Sequence, residues 1–282
     1  MTTTPFGARL RAAMDAHGPL CVGVDPHPGL LRAWGLEDDA EGLTRFAGTC
    51  VEALGGRVAI VKPQSAFFER HGSRGVAVLE RLLADLRSAG TLSLLDVKRG
   101  DIGSTMQAYA EAYLRDDAPL AADAITLSPF LGAGSLRPAL DLARDAGRGA
   151  FVLALTSNAE GPSVQHATGP DGRAVAADVV ALAAAENASA SGLGSVGLVV
   201  GATVGSAVAD LGLDLAGCRG PLLAPGVGAQ GAGPAQLREV FGEARAQVLA
   251  SSSREVLGAG PSVDALVSAA ERTRDAVTDA LR

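Results

Sequence analysis

The densest chemistry in the sequence lies in Leu94-Leu95-Asp96-Val97-Lys98-Arg99-Gly100-Asp101-Ile102-Gly103-Ser104-Thr105. The run opens apolar and then sets Asp96, Lys98 and Asp101 within six residues. If residues 92–98 form a strand, period-2 alternation puts Asp96 and Lys98 on one face and leaves Asp101 at the turn into the next helix. A carboxylate and an ammonium at the end of an apolar strand are costly to hold there without a purpose. Lys62, closing the run VAIVK, adds a second cation. A lysine held between carboxylates keeps its proton, so it serves as an acid and a fixed positive charge rather than as a Schiff-base nucleophile. Such a group suits the stabilisation and protonation of a developing carbanion. The alternative is an ion-pair network that pins strand ends, a weak stabiliser because desolvation offsets the Coulomb gain.

A second set of residues suits a phosphate. The turn Gly226-Val227-Gly228-Ala229-Gln230-Gly231 frees backbone N–H groups to face an anion, with Gln230 as an amide donor. Arg254 adds a two-pronged cation. Other polar candidates each have two readings. Asp25 could accept from a sugar hydroxyl or cap the turn after it. Ser157 could read the amide edge of a base or bond locally. Ser104 and Thr105 could cap the helix that follows Asp101. His27, His71 and His166 have no metal-ligand spacing, and no metal is expected.

The elements that must hold these groups are legible as a repeat. Eight apolar, β-branched runs span residues 20–25, 57–63, 91–98, 123–129, 150–157, 196–202, 221–227 and 246–252, each read as followed by a turn and then a helical pattern. Helices are expected at 42–54, 75–89, 104–114, 137–146, 175–190 and 263–281, with an extra amphipathic helix at the N-terminus carrying Phe6, Leu10 and Met14. Eight strand–helix units fit a (β/α)₈ TIM barrel over residues 1–282 as a single domain, with an open doubly wound sheet as the alternative. In a barrel every strand's C-terminal end faces one mouth, where Asp25, Lys62, Asp96, Lys98, Ser157 and Arg254 would meet. The stretch 158–172 is the least patterned part of the chain, a candidate lid or a surface insertion.

Composition narrows the class. Hydrophobic residues make up 48% of the chain and aromatics only 4%, so the core must be aliphatic. A net charge of −7 argues against general nucleic-acid affinity. Three scattered cysteines form no disulfide framework and suit a reducing cytoplasm. No apolar run approaches the roughly 18 residues of a membrane span.

The run Asp96-Val97-Lys98-Arg99-Gly100-Asp101-Ile102-Gly103-Ser104-Thr105 resembles the D-x-K-x-x-D-I-x-x-T signature of orotidine 5′-phosphate decarboxylase. The resemblance extends in order through VGVDPHP, VKPQSAFFE, LTSN, PGVGAQG and the strand-8 arginine, and points to the longer bacterial branch of that family. It implies a cofactor-free and metal-free (β/α)₈ homodimer that converts orotidine 5′-monophosphate to UMP and CO₂ in pyrimidine biosynthesis. It further implies that Lys98 donates the proton to C6 and that Asp96 lies beside the leaving carboxylate. Lys62 would link the ribose to the charged network, and Asp25 would bind a ribose hydroxyl. Asp101, Ile102 and Thr105 would reach the partner subunit's site; Ser157 would contact the pyrimidine, and Gln230 and Arg254 the phosphate. In the fourth run Ser128 stands where many relatives outside this branch carry a His-Gly pair. A magnesium-dependent sugar-phosphate enzyme of the same superfamily and a non-catalytic phosphate-binding barrel are the competing readings.

Overall fold

The computed structural model describes residues 4–227 and 231–282. Among them, parallel strands β1 (Leu20–Val24), β2 (Ile60–Pro63), β3 (Leu92–Arg99), β4 (Ala124–Leu127), β5 (Gly149–Leu155), β6 (Val196–Val200), β7 (Leu222–Pro225) and β8 (Val248–Ser252) close into a barrel in chain order. β8 pairs back onto β1 through Leu20 and Ala250. The chain is a (β/α)₈ barrel, not an open sheet. Its strands are covered on both faces, which is why they read as near-continuous apolar runs. Helices such as Ala40–Leu54, Gly72–Ser88 and Val263–Leu281 carry an apolar stripe inward against them, and Asp39 and Ser262 cap the first and last of these.

The N-terminal helix, Phe6–His17, closes the far end of the barrel. Phe6, Leu10 and Met14 join an apolar cluster that takes a buried side chain from every strand, from Cys21 on β1 to Leu249 on β8. Phe6 meets Phe151 edge-on with ring centroids 6.0 Å apart. Arg9 of the same helix donates to Asp123 Oδ1 at 2.5 Å, so the plug is latched as well as packed. Because successive side chains alternate, residues two and four positions beyond this apolar floor face the same interior, now at the C-terminal mouth. That step carries Asp25, Lys62, Asp96, Lys98 and Thr126 into a single cavity.

One local expectation needs correction. The helix after Asp101 runs Gly103–Leu114 with Ile102 at its N-cap, and no side chain caps it. Ser104 and Thr105 therefore fall inside the first turn, past the position from which a hydroxyl can cap. The stretch 158–172, the least patterned in the sequence, holds the short helix Pro162–Gln165, and its Thr168 bridges to Ala174. Gln165 folds back on Thr156, its Oε1 accepting from Thr156 N at 2.9 Å and its Nε2 donating to Thr156 Oγ1 at 2.7 Å.

Candidate active site

The mouth of the barrel holds a cavity of about 880 Å³ whose two walls differ in kind. β1–β4 and β8 contribute Asp25, Lys62, Asp96, Lys98, Thr126 and Ser253, and β5–β7 contribute Leu153, Leu155, Val199, Leu223 and Pro225. A flat, apolar-faced ring has one natural side to lie against, and charged or hydroxyl groups have the other.

At the centre of the polar wall, Asp96 has an ammonium on each oxygen. Lys62 Nζ donates to Oδ2 at 2.9 Å and Lys98 Nζ to Oδ1 at 2.6 Å. Thr126 Oγ1 also donates to Oδ1, at 2.8 Å, and accepts from the Lys98 N–H at 2.9 Å. Gln64 Oε1 accepts from Lys62 at 3.4 Å. Burial by itself would raise the Asp96 carboxyl, but the charges and hydrogen bonds of Lys62 and Lys98 override it and hold the group at about 2. Burial would likewise discharge Lys62; the carboxylates of Asp96 and Asp25 reverse that and raise it above the ordinary lysine value. Asp96 is therefore ionised and Lys62 protonated at neutral pH. The lysines differ in access: the side chains of Lys62 and Asp96 are 8% exposed, whereas that of Lys98 is 47% exposed and opens on the cavity.

Lys98 does not simply continue the strand. The pairing of β3 with β4 slips between Leu95 and Arg99, and Lys98 adopts φ +44°. Alternation predicts that Asp96 and Lys98 share a face, and they do meet. The turn that aims Lys98 is the part alternation cannot supply.

The other expected residues divide into three groups. Asp25, Ser157 and Arg254 reach the cavity. Asp25 does not cap its turn: Oδ2 accepts from Ser253 Oγ at 2.5 Å, and Oδ1 is buried with no hydrogen-bond partner among the described residues. Ser157 and Arg254 are exposed on the rim, Arg254 at the start of the short helix Arg254–Leu257. Asp101 and Thr105 do not line the cavity of their own chain; Asp101 Oδ1 accepts from Ile102 N at 2.8 Å, and Thr105 is exposed on the helix surface. Gln230 lies outside the described residues. The described parts of its turn, Gly226, Val227 and Gly231, border the cavity, and Gly226 adopts φ +86°. Ser253 closes the eighth apolar run beside Arg254, but the sequence assigns no role to it or to Thr126. Nothing in their local sequence separates them from other strand-end hydroxyls; only pairing across strands puts them on the carboxylates.

With this geometry in view, the chain can be set beside known proteins. The model of the family described as "Orotidine 5'-phosphate decarboxylase / HUMPS family" matches residues 18–269. The orotidine 5′-phosphate decarboxylase of Streptomyces coelicolor is 62% identical over 268 residues, covering 95% of each chain. That of Salinispora arenicola is 63% identical over 267 residues, again covering 95% of each. A crystal structure from Streptomyces avermitilis, assigned as an orotidine 5′-phosphate decarboxylase, superposes with a TM-score of 0.95 at 60% identity, covering 100% of this chain and 97% of that one.

Proposed function

This chain belongs to the orotidine 5′-phosphate decarboxylase / HUMPS family, and from that premise we infer that it is a carboxy-lyase converting orotidine 5′-monophosphate to UMP and CO₂. The observation that carries the mechanism is Asp96 with one lysine on each oxygen, the more exposed lysine facing the cavity. When the bond from C6 to the carboxylate breaks, its electron pair stays on C6 and CO₂ departs. Lys98 supplies positive charge beside that pair and then gives its proton to C6, forming UMP; the neutral amine regains a proton from solvent. Asp96 holds Lys98 in place and sits next to the departing carboxylate. Because Lys62 and Lys98 occupy both oxygens of Asp96, a divalent cation would have to displace an ammonium to bind there. That favours a reaction with neither metal nor cofactor over the magnesium-dependent sugar-phosphate chemistry of related barrels.

The remaining groups hold the nucleotide. The pyrimidine lies against the apolar wall with Ser157 at its edge, and Asp25 Oδ1 accepts from a ribose hydroxyl beside Lys62. Arg254, Gln230 and the glycine turn take the phosphate, a binding region far from C6 whose energy closes the site over the reacting bond. Asp101, Ile102 and Thr105 serve a second copy of the chain in a homodimer with shared sites. Ile102, Phe130 and Leu131, after neighbouring strands β3 and β4, are large apolar side chains exposed by 62%, 74% and 52%. Exposure on that scale suits a face that another copy covers. Free, buried cysteines suit a cytoplasmic enzyme.

The test is direct. Incubating the protein with orotidine 5′-monophosphate should remove the orotate absorbance at a rate indifferent to a chelator. Turnover that disappears on chelation would favour the sugar-phosphate reading, and no turnover under any condition would remove the decarboxylase reading.

A further inference from the structure

The left-handed turn at Lys98 raises the question of what holds it. A residue with a side chain is uncommon at φ +44° and persists only where its surroundings over-determine it. On one side, the Lys98 N–H is fixed on Thr126 Oγ1 at 2.9 Å. On the other, Ser128 N donates to the Arg99 carbonyl at 2.8 Å. Gly100 approaches the Ser128 carbonyl so closely that a Cβ there would lie 2.2 Å from its oxygen.

The third restraint is the Arg99 side chain. Its Nη1 donates back across Lys98 to the Val97 carbonyl at 3.4 Å, so the guanidinium spans the turn it follows. Nη2 donates to Glu69 Oε1 at 2.8 Å and Nε to Tyr113 Oη at 3.3 Å, and the guanidinium carbon lies 5.3 Å from the centre of the Tyr109 ring. Glu69 Oε1 also accepts from Ser65 Oγ at 2.6 Å, and Ser65 N donates to the Asp96 carbonyl at 3.3 Å. The path Asp96, Ser65, Glu69, Arg99 thus leaves β3 just before Lys98 and returns just after it. Neither Arg99 nor Glu69 lines the cavity of its own chain.

We propose that Arg99, braced by Glu69, is a positioning residue that clasps the Lys98 turn and keeps the ammonium aimed at Asp96 and the reacting carbon. Surface ion pairs contribute little to stability, so the pair acts on where Lys98 points rather than on whether the barrel folds. Small misplacements of a catalytic group cost rate steeply. The proposal rests on the decarboxylase reading, and its experiment separates the two. For the full-length protein and the variants Arg99→Met, Arg99→Lys and Glu69→Gln, kcat is measured together with the affinities for UMP and for 6-hydroxyuridine 5′-monophosphate. The acidic 6-hydroxyl of the latter puts an anionic oxygen where the carbanion would form, so its binding reads the position of Lys98.

Arg99→Met and Glu69→Gln should each lower kcat about 10- to 100-fold and weaken the 6-hydroxy nucleotide about 10-fold. UMP affinity and the melting temperature should hardly change. Arg99→Lys should recover part of the loss, because one ammonium can reach Glu69 but cannot also meet the Val97 carbonyl and Tyr113. Equal weakening of both nucleotides, or an unchanged kcat in a folded variant, would reduce the pair to an ordinary structural contact. If Arg99→Met does not fold, Glu69→Gln, nearly isosteric and partly exposed, decides alone. A wild-type protein that neither decarboxylates the substrate nor prefers the 6-hydroxy nucleotide over UMP fails the functional reading before any variant is compared.

Discussion

The barrel holds a charge cluster at each end, built from similar parts and arranged to opposite effect. At the closed end, Asp123 has every oxygen occupied by the protein. Oδ1 accepts from Arg9 at 2.5 Å and from Arg148 at 3.4 Å, and Oδ2 accepts from the Ser93 N–H at 3.0 Å and Ser93 Oγ at 3.2 Å. Arg148 also pairs with Asp116 at 2.5 Å, and the mouth cavity does not reach these groups. At the mouth, Asp96 is equally well met, but its partner Lys98 is half exposed to an 880 Å³ cavity, and Asp25 nearby keeps an oxygen that no described residue satisfies. Charge at a strand end is therefore not the mark of a site. The mark is charge that borders the cavity, because an unpartnered buried atom occurs at both ends, Asp25 Oδ1 at the mouth and Arg9 Nε at the floor.

Substitutions at the two ends should separate rate from stability. Lys98→Ala should lower kcat by about 10⁴-fold or more, because one group supplies both the stabilising charge and the proton. The melting temperature should stay nearly unchanged, since Lys98 is half in solvent. A folded Lys98→Ala protein with substantial turnover would break the contrast. Asp123→Ala should do the reverse: leaving Arg9 and Arg148 without their shared carboxylate should cost about 3 kcal/mol in denaturant unfolding. The kcat of the protein that remains folded should match wild type.

The acid response should sharpen the difference. Asp96 is held at about 2 in the folded protein, against an ordinary carboxyl value of 3.8. Its folded value is depressed, so its contribution is fully present above about pH 5 and is lost as pH falls through 4 toward 2. A depression of this size corresponds to roughly 2 kcal/mol. Stability measured by denaturant at successive pH values should fall less steeply across that window in Asp96→Asn than in wild type. Parallel curves would show that the lysines do not depress this carboxyl as the geometry implies.

Periodicity made much of this architecture legible. Spacing alone placed eight strands and put Asp25, Lys62, Asp96 and Lys98 at one mouth, because a parallel barrel converts strand ends into neighbours whatever lies between them. What stayed hidden depends on contacts between distant parts of the chain. Thr126 serves Asp96 from the next strand, Ser253 serves Asp25 from a position 228 residues away, and Arg9 reaches Asp123 across the barrel floor. The Lys98 turn was hidden for a different reason: left-handed backbone usually announces itself through glycine, and here the glycine stands two residues later, at Gly100, where Ser128 presses on it. The stretch 158–172 read as loop because the element that orders it, the side chain of Gln165 on Thr156, has no period.

The smallest expected effect bears most directly on charge bordering the cavity as the mark of a site. Asp25 and Asp123 differ in one respect above all: Asp123 is saturated, whereas Asp25 has one oxygen on Ser253 and one without a partner among the described residues. If that oxygen takes a ribose hydroxyl, Ser253 is what aims it, and Gly23 is what makes room, since a Cβ there would lie 2.0 Å from Ser253 Oγ. Ser253→Ala removes a hydrogen bond to a charged group and should raise KM for orotidine 5′-monophosphate about 10-fold, with kcat changed far less and the fold intact. Gly23→Ala should move KM the same way by displacing the same hydroxyl. A Ser253→Ala protein that loses stability and keeps its KM would place the Asp25 pair with the structural cluster at the barrel floor, and charge bordering the cavity would then no longer distinguish a site from a brace.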